Sequence, residues 1–425
     1  MDTRRLFPIL LIIFTNILGA GVIMPILPLF AEGQFQGTIL QITLLSTTFF
    51  AAQFLAAPVL GRLSDRYGRR PVLLISQAGT VAAFVLFIFA RDLGQWIDGL
   101  GFGLPMSGGM VMLYVARTLD GITGGNITTA QAYVSDVTTE RQRAQGLGLL
   151  QAAFGAGFIF GPAFGGVLSN YGPVVPFIGA AIITTGTLLL TFFILEESHA
   201  PEERTAARAA QPSENPWRLM AAHPALINLL WIGFVASLAF SALPAVFALF
   251  ADHVLFANTA HPDRIQLYIG LMLTFNGAMQ VVTQIALLKP LVTRLGERRL
   301  LLVGQVALIL AMFGVAVIDN AIVVTLLFAP FAFGRGVSEP SLQSLVTRFG
   351  EQRGQLLGLY QSARSLALIF GPVWAGYAFD AISPQAVFIV GGILVVIALF
   401  FALILLRQEI PTPRREASAR PLARD

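Results

Sequence analysis

GRLSDRYGRR, residues 61–70, places charge at Arg62, Asp65, Arg66, Arg69 and Arg70 inside a chain that is 56% hydrophobic and 12% charged. Soluble domains carry about 25% charged residues. Charge this dense and this local therefore marks a connection between apolar segments rather than a patch on a soluble surface. The apolar material on either side comes in runs of about 20 residues, the length of a helix that crosses a bilayer. A mean hydropathy of +0.75 and 34 phenylalanines agree with that reading. The fold class expected is an all-α membrane protein embedded in a lipid bilayer. There is no cysteine, which excludes disulfides and thiolate metal sites. His199, His223, His253 and His261 fall at segment ends or in polar connections without metal-ligand spacing. They read as solvated loop residues, and neither a metal nor a cofactor is expected. The net charge of +4 does not point to nucleic acid, because excess arginine in a membrane chain sets orientation.

Apolar runs bounded by charge, Pro or Gly give twelve spans: 6–30, 39–60, 72–90, 107–135, 143–168, 174–195, 224–250, 266–288, 300–318, 321–345, 354–378 and 386–406. The start, MDTRRLFPILLIIF, lacks a small-residue cleavage site and runs on to Phe30, so it reads as the first span. An even number of spans puts both termini on one side. Of the 27 Lys and Arg residues, only Arg91 and Arg264 fall on the opposite side, and Arg117, Arg335 and Arg364 lie within spans. All the others share the side of the termini, which the positive-inside rule makes cytoplasmic. Residues 196–222 are polar, without apolar periodicity, and divide six spans from six. The expected organisation is a first half over 1–195, a cytoplasmic linker over 196–222, a second half over 223–406 and a basic tail over 407–425.

The halves are copies of one another. RYGRRPVLLISQ (66–77) matches RLGERRLLLVGQ (294–305), and GLLQAAFGAGFIFGP (148–162) matches GLYQSARSLALIFGP (358–372). Each pair holds the same place in its half. The offset shrinks between the two matches because the first half has a long connection, 91–106, where the second has Asp319 and Asn320. Two six-span repeats joined by a linker are a secondary-transporter architecture, with substrate bound near the midplane between them.

Gly61, Asp65, Arg66, Gly68, Arg69 and Arg70 between spans two and three resemble the signature loop of the major facilitator superfamily. Arg117, with Gly121 four residues on, resembles that family's fourth-helix arginine motif. GAGFIFGPAFGG (155–166) is similar to the fifth-helix motif of its drug/proton antiporter branch, and NILGAGVIMPILP (16–28) resembles that branch's first helix. The likeness covers all twelve spans, and the tetracycline/proton antiporters are the nearest group. It implies proton-coupled efflux of drugs or related amphipathic small molecules by alternating access, in an inner membrane, by a monomer. One position departs: the antiporters carry an acid where Asn16 falls, which argues against tetracycline itself and moves the proton site elsewhere.

The residues themselves suggest roles. Gly61 ends span two and permits close approach of a helix. Asp65 can accept hydrogen bonds from the N-terminus of a facing helix or pair with Arg69, and the eleventh span begins near Gly354 on the same side. The loop then reads as a latch between halves. Topology alone accounts equally well for its arginines, but not for Asp65, since an acid adds nothing to the positive-inside rule. Gly157, Gly161 and Gly165 form a smooth face, and Pro162 removes one backbone hydrogen bond. That face either seals the outer side against the second half or packs as ordinary small residues.

Ionisable groups within spans are expensive and point to pairing and function. They are Arg117 and Asp120 in span four, Arg335 and Glu339 in span ten, and Arg364 in span eleven. Glu339 is four residues from Arg335 and shares a depth with Arg364, so it can meet both. A carboxylate that alternately meets and loses an arginine changes its proton affinity. This makes Asp120 first, and Glu339 with Arg364 second, as the proton-coupling groups. Asn16, Gln53, Arg117, Asn126, Gln151, Asn276 and Gln280, with Trp231, Phe234 and Phe240, are the candidate substrate contacts, because amides and aromatics in an apolar cavity suit amphipathic ligands. The competing transport reading is a symporter or facilitator for a polar solute such as a sugar; the lack of dense carboxylate, Trp and amide clusters argues against it. An enzyme is not expected, since neither GxSxG nor HExxH occurs. An ATP motor is excluded because the only lysine, Lys289, precedes Pro290 rather than Ser or Thr.

Overall fold

With no water to satisfy backbone N–H and C=O groups in lipid, a spanning segment must bond internally, and the spans are helical. The computed structural model describes residues 3–101, 103, 105–124, 126–138, 140–198, 220, 223–349 and 353–410; of 3–5, 126, 140, 141, 143, 144, 353 and 354 it describes the backbone alone. The first half comprises α1 (Thr3–Phe35), α2 (Ile39–Tyr67), α3 (Arg69–Ile88), α4 (Ala90–Gly99), α5 (Gly108–Thr123), α6 (Asn126–Asp136), α7 (Glu140–Ser169) and α8 (Val175–Ile194). The second comprises α9 (Pro224–Phe250), α10 (Ile265–Val282), α11 (Leu288–Val317), α12 (Ala321–Val346), α13 (Arg353–Ala381) and α14 (Ala386–Arg407). No strand occurs among the described residues. Most of the expected linker and tail lie outside them.

Among the described residues twelve crossings result when α4 is left out as a connection, α5 and α6 count as one, and α11 is divided at Gly296, whose φ is 72°, with its first part continuing α10. Four details differ from the sequence reading. The first span continues to Phe35, and the connection 91–106 contains α4. Gly61 does not end span two, since α2 runs on to Tyr67. The fourth span breaks at Gly124, where two consecutive glycines lower the cost of leaving the helix and the Gln53 side chain donates to the freed Gly124 carbonyl at 2.9 Å.

The repeat is visible in backbone and charge. Gly68 and Gly296, matched in the sequence repeat, both adopt positive φ (107° and 72°) at the turn into the following helix, a conformation glycine adopts without steric cost. Next to each glycine is a bridge to the end of the fourth or tenth crossing, with the charges exchanged. Arg69 pairs with Asp136 at 3.1 Å, whereas Glu297 pairs with Arg348 at 2.5 Å.

Two helix pairs make most of the contact between the halves, α7 with α10 and α2 with α13, and α1 also meets α9. The polar contacts across this seam gather toward the end of the bundle opposite the termini, called the far end below. Asp380 accepts from the Leu40 N–H at 3.2 Å, Thr47 donates to the Ile369 carbonyl at 3.0 Å, and Thr274 donates to the Ile159 carbonyl at 3.0 Å. The apolar core has the same polarity. At the far end one cluster runs through both halves, from Val22, Ile26 and Phe30 of α1 to Phe250, Phe328 and Phe388. At the near end each half has its own: Leu6, Ile9 and Ile13 around Tyr133 in the first, Leu229, Ile232 and Leu345 around Tyr360 in the second. The halves are thus fused at the far end and separately packed at the near end.

The glycine face of α7 packs within its own half. A side chain added at Gly157, Gly161 or Gly165 would meet α1 of the same half, at Phe14 O (2.6 Å), Leu18 O (2.7 Å) and Val22 Cα (3.1 Å) respectively. The seam with the second half lies around the helix from there. A Cβ on Gly166 would meet Gln266 O at 2.9 Å, and one on Gly270 would strike the Pro162 carbonyl. Gly157, Gly161 and Gly165 therefore fasten α7 within its own half, and Gly166, Gly270 and Pro162 make the seal.

Candidate functional site

At the near end, Arg69 organises the 61–70 loop. It is 8% exposed and donates to Ser64 Oγ (2.9 Å), Asp65 Oδ1 (2.6 Å) and Asp136 Oδ2 (3.1 Å). Glu197 receives the backbone N–H groups of Arg69 and Arg70 at 2.8 and 3.2 Å, so a carboxylate holds the positive end of α3. Arg70 donates to the Phe192 carbonyl at 2.5 Å, and Arg66 lies 5.2 Å from the Tyr67 ring centroid. Asp65 thus pairs with Arg69, while the helix N-terminus is met by Glu197. A Cβ on Gly61 would have nothing within 4 Å, so among the described residues no helix packs on it in this arrangement. The expected latch partner was the start of the eleventh span near Gly354; residues 350–352 just before it and the side chain of Arg353 lie outside the described residues. Asp136 and Glu197 escaped the sequence reading; their position at span ends beside a basic loop was the available signal.

Within the first half, Arg117 and Asp120 are each 8% exposed and pair at 3.2 Å. The Arg117 guanidinium also sits 4.2 Å from the Phe49 ring centroid and donates to the Leu45 carbonyl at 3.4 Å. This contact with α2 is close because Gly121 has no side chain: a Cβ there would meet Phe49 O at 2.5 Å.

In the second half Glu339 meets both expected arginines. One carboxylate oxygen lies 3.5 Å from Arg335 and the other contacts Arg364. Arg335 stacks over Phe240, 3.2 Å from the ring centroid. Phe240 in turn stacks on Phe331 at 5.9 Å. Arg335, Glu339, Phe240, Phe331 and Tyr360 line a cavity of about 40 Å³. Trp231 and Phe234 are not part of it. They stack on one another at 5.6 Å, and Trp231 meets Phe401 of α14 at 6.2 Å. Nine residues separate Trp231 from Phe240, half a turn of phase, so the two rings leave opposite faces of α9.

The amides are dispersed. Asn16 Nδ2 and Asn276 Oδ1 are buried without partners, and Asn276 is 4% exposed. Gln53 is committed to Gly124, Gln151 is exposed and Gln280 half-buried. The Asn126 side chain lies outside the described residues. Among the histidines, His253 is more than a solvated loop residue. A turn of π-helix, Ala251–Leu255, carries it against Glu32 of the first half, with Nε2 to Oε1 at 2.9 Å. Its ring meets Phe379 edge-on at 6.0 Å. The far end therefore has a polar clasp between halves that separation in sequence concealed.

Comparison with known proteins accounts for this arrangement. A profile of the Major Facilitator Superfamily matches residues 9–349 and 255–424. The chain is 30% identical over 389 residues to Multidrug resistance protein 2 of Bacillus subtilis, covering 89% of this chain and 90% of that one. It is 32% identical over 400 residues to the class G tetracycline resistance protein of Vibrio anguillarum, covering 92% and 95%. In fold it is similar to a bacterial homolog of the human lysosomal transporter Spinster in an inward-facing, occupied conformation, with a TM-score of 0.73 at 14% identity over 97% of this chain and 100% of that one. It is also similar to the human organic anion transporter MFSD10, with a TM-score of 0.65 at 21% identity over 94% and 99%. With its duplicated six-crossing halves, its charged loop and its ion pairs within the crossings, the chain belongs to the Major Facilitator Superfamily and is a multi-pass membrane transporter.

Proposed function

We propose that the protein is a proton-coupled exporter of drugs or related amphipathic small molecules. It acts as a monomer in the inner membrane, with both termini cytoplasmic. The observation that carries this reading is the buried Arg117–Asp120 pair, facing α2 inside a bundle fused at only one end. Each charge costs about 2.5–3.5 kcal/mol at the centre of a membrane helix, and such groups mark ion and substrate pathways. The likeness to multidrug and tetracycline resistance proteins supplies the substrate class. A sugar symporter or facilitator is not favoured by those relatives.

In this reading the near end opens to the cytoplasm and admits substrate while the far seal excludes the outside. Asn16 cannot titrate, so the proton site falls to Asp120, with Glu339 and Arg364 second. When the halves rock, a change in the Arg117–Asp120 contact changes the carboxylate's proton affinity. Asp65 and Arg69 serve as the latch of the opposite state, in which the near ends meet. The test is uptake of a dye and antibiotic panel into inside-out vesicles with and without a pH gradient. Asp120→Asn should abolish gradient-driven uptake yet retain substrate binding that no longer varies with pH. Gradient-driven uptake surviving in both Asp120→Asn and Glu339→Gln would remove these carboxylates from the coupling mechanism.

A further inference from the structure

The two charge clusters within the spans differ in composition. The first-half pair, Arg117 and Asp120, is one cation to one anion. The second-half cluster is two cations to one anion: Glu339 is shared by Arg335 and Arg364, and the other titratable side chain lining the adjoining cavity is the phenol of Tyr360. Within the cluster the excess charge rests on Arg335. Arg364 holds the close contact with Glu339 and a hydrogen bond to Gln361 at 3.4 Å. Arg335 reaches Glu339 only at 3.5 Å and is otherwise supported by the Phe240 ring beneath it. A guanidinium has five N–H donors, and the side chain of Arg335 is 20% accessible along the cavity wall.

From this asymmetry we propose that Arg335 forms an anion subsite, which takes a carboxylate, sulfonate or phenolate group of an amphipathic substrate and brings the cluster to charge balance. The size of the cavity fits this role. A cavity needs about 10–15 Å³ to hold one water, so 40 Å³ accommodates an acidic head group but not a drug-sized body. The body would extend from the cavity along Phe240 and Phe331, whose stacked rings border it. The proposal rests on the exporter reading above and narrows its substrates to those with an acidic group. It also gives Glu339 a positioning role. Removing its charge leaves Arg335 and Arg364 unopposed and strengthens anion binding. Exchange of proton for substrate needs the opposite sign, which leaves Asp120 as the coupling carboxylate for such substrates.

The test uses two probes that share an aromatic body: 8-anilinonaphthalene-1-sulfonate and its uncharged parent N-phenyl-1-naphthylamine. Equilibrium binding is measured on the full chain in lipid nanodiscs, with empty nanodiscs subtracted. Wild type should prefer the sulfonate at least tenfold. Arg335→Gln should bring the preference near unity, Arg335→Lys should retain part of it, and Glu339→Gln should widen it. If Arg335→Gln does not fold, the widening in Glu339→Gln still decides. No preference in wild type, or a Glu339→Gln preference that narrows, overturns the subsite. Gradient-driven dye accumulation in proteoliposomes separates the two ideas. Accumulation without anion preference sinks the subsite alone, and anion preference without accumulation sinks the exporter reading alone.

Discussion

Gly270 is where the far seal can be loosened by a single methyl group. Its missing Cβ faces the Pro162 carbonyl across the seam, with Pro162 C at 3.2 Å and Gly166 Cα at 3.3 Å. Both α7 and α10 must shift to admit a side chain there, because the obstacles are backbone atoms rather than the ends of flexible side chains. Overpacking of this kind costs about 1–3 kcal/mol. The cost falls on the state with the far end sealed and disappears when the halves separate there. At about 1.4 kcal/mol per tenfold, Gly270→Ala should shift the balance roughly 5- to 140-fold toward the far-open state. Gly161→Ala is the control. Its added methyl meets Leu18 O at 2.7 Å and Gly21 Cα at 2.8 Å, a contact within one half that persists in both states. That variant should lose stability without shifting the balance. The chain has no cysteine, so Thr43→Cys provides a single reporter. Thr43 is fully buried at the far seam, against Gly376 of α13. Labelling by a membrane-impermeant maleimide should accelerate in Gly270→Ala and stay at the reference rate in Gly161→Ala. Equal rates in the two variants would refute the assignment of the seal to Gly270 and Pro162.

Asp65→Asn should slow transport while the purified protein remains folded and inserted; unchanged turnover would remove the latch role. Arg117→Ala should lose transport more severely than Arg91→Ala, since Arg117 is buried and paired and Arg91 is exposed; equal, mild losses in vesicle uptake would mark Arg117 as structural. Reversing one end of the second-half bridge with Arg348→Glu should lower the melting temperature, because two like charges then meet at a partly buried site. Adding Glu297→Arg should recover at least half of the loss, and additive losses would show that the bridge contributes nothing. Glu32→Gln and His253→Ala should each speed Thr43→Cys labelling at the far end, by less than Gly270→Ala does, since they remove one partly exposed polar contact. No change in either would mean that the clasp adds nothing to closure.

Much of this protein was legible in its residue order because lipid imposes simple rules. Apolar runs of bilayer length must become helices, and arginines such as Arg62, Arg66 and Arg294 gather on the side of the termini. The repeat aligns Gly68 with Gly296, and both have positive φ. Residue spacing and depth were enough to bring Glu339 within reach of both Arg335 and Arg364. These features depend on distance along a helix, which is 1.5 Å per residue regardless of context.

What the sequence left open was rotation and partnership across space. A stripe of glycines announces close packing but not which neighbour it packs on, so the Gly157, Gly161 and Gly165 face pointed equally to a seal against the second half and to ordinary packing of small residues. Trp231 and Phe240 both read as aromatic lining, and only the phase of α9 against its neighbours separates them. Asp65 has Arg69 beside it in sequence, yet the arginine is held also by Asp136, and the turn that positions it by Glu197. The fusion of the halves at one end and not the other is invisible in the sequence for a related reason. The same residues must serve both states of a rocking bundle, so their order specifies which surfaces can meet, and only the assembled helices decide which of them do.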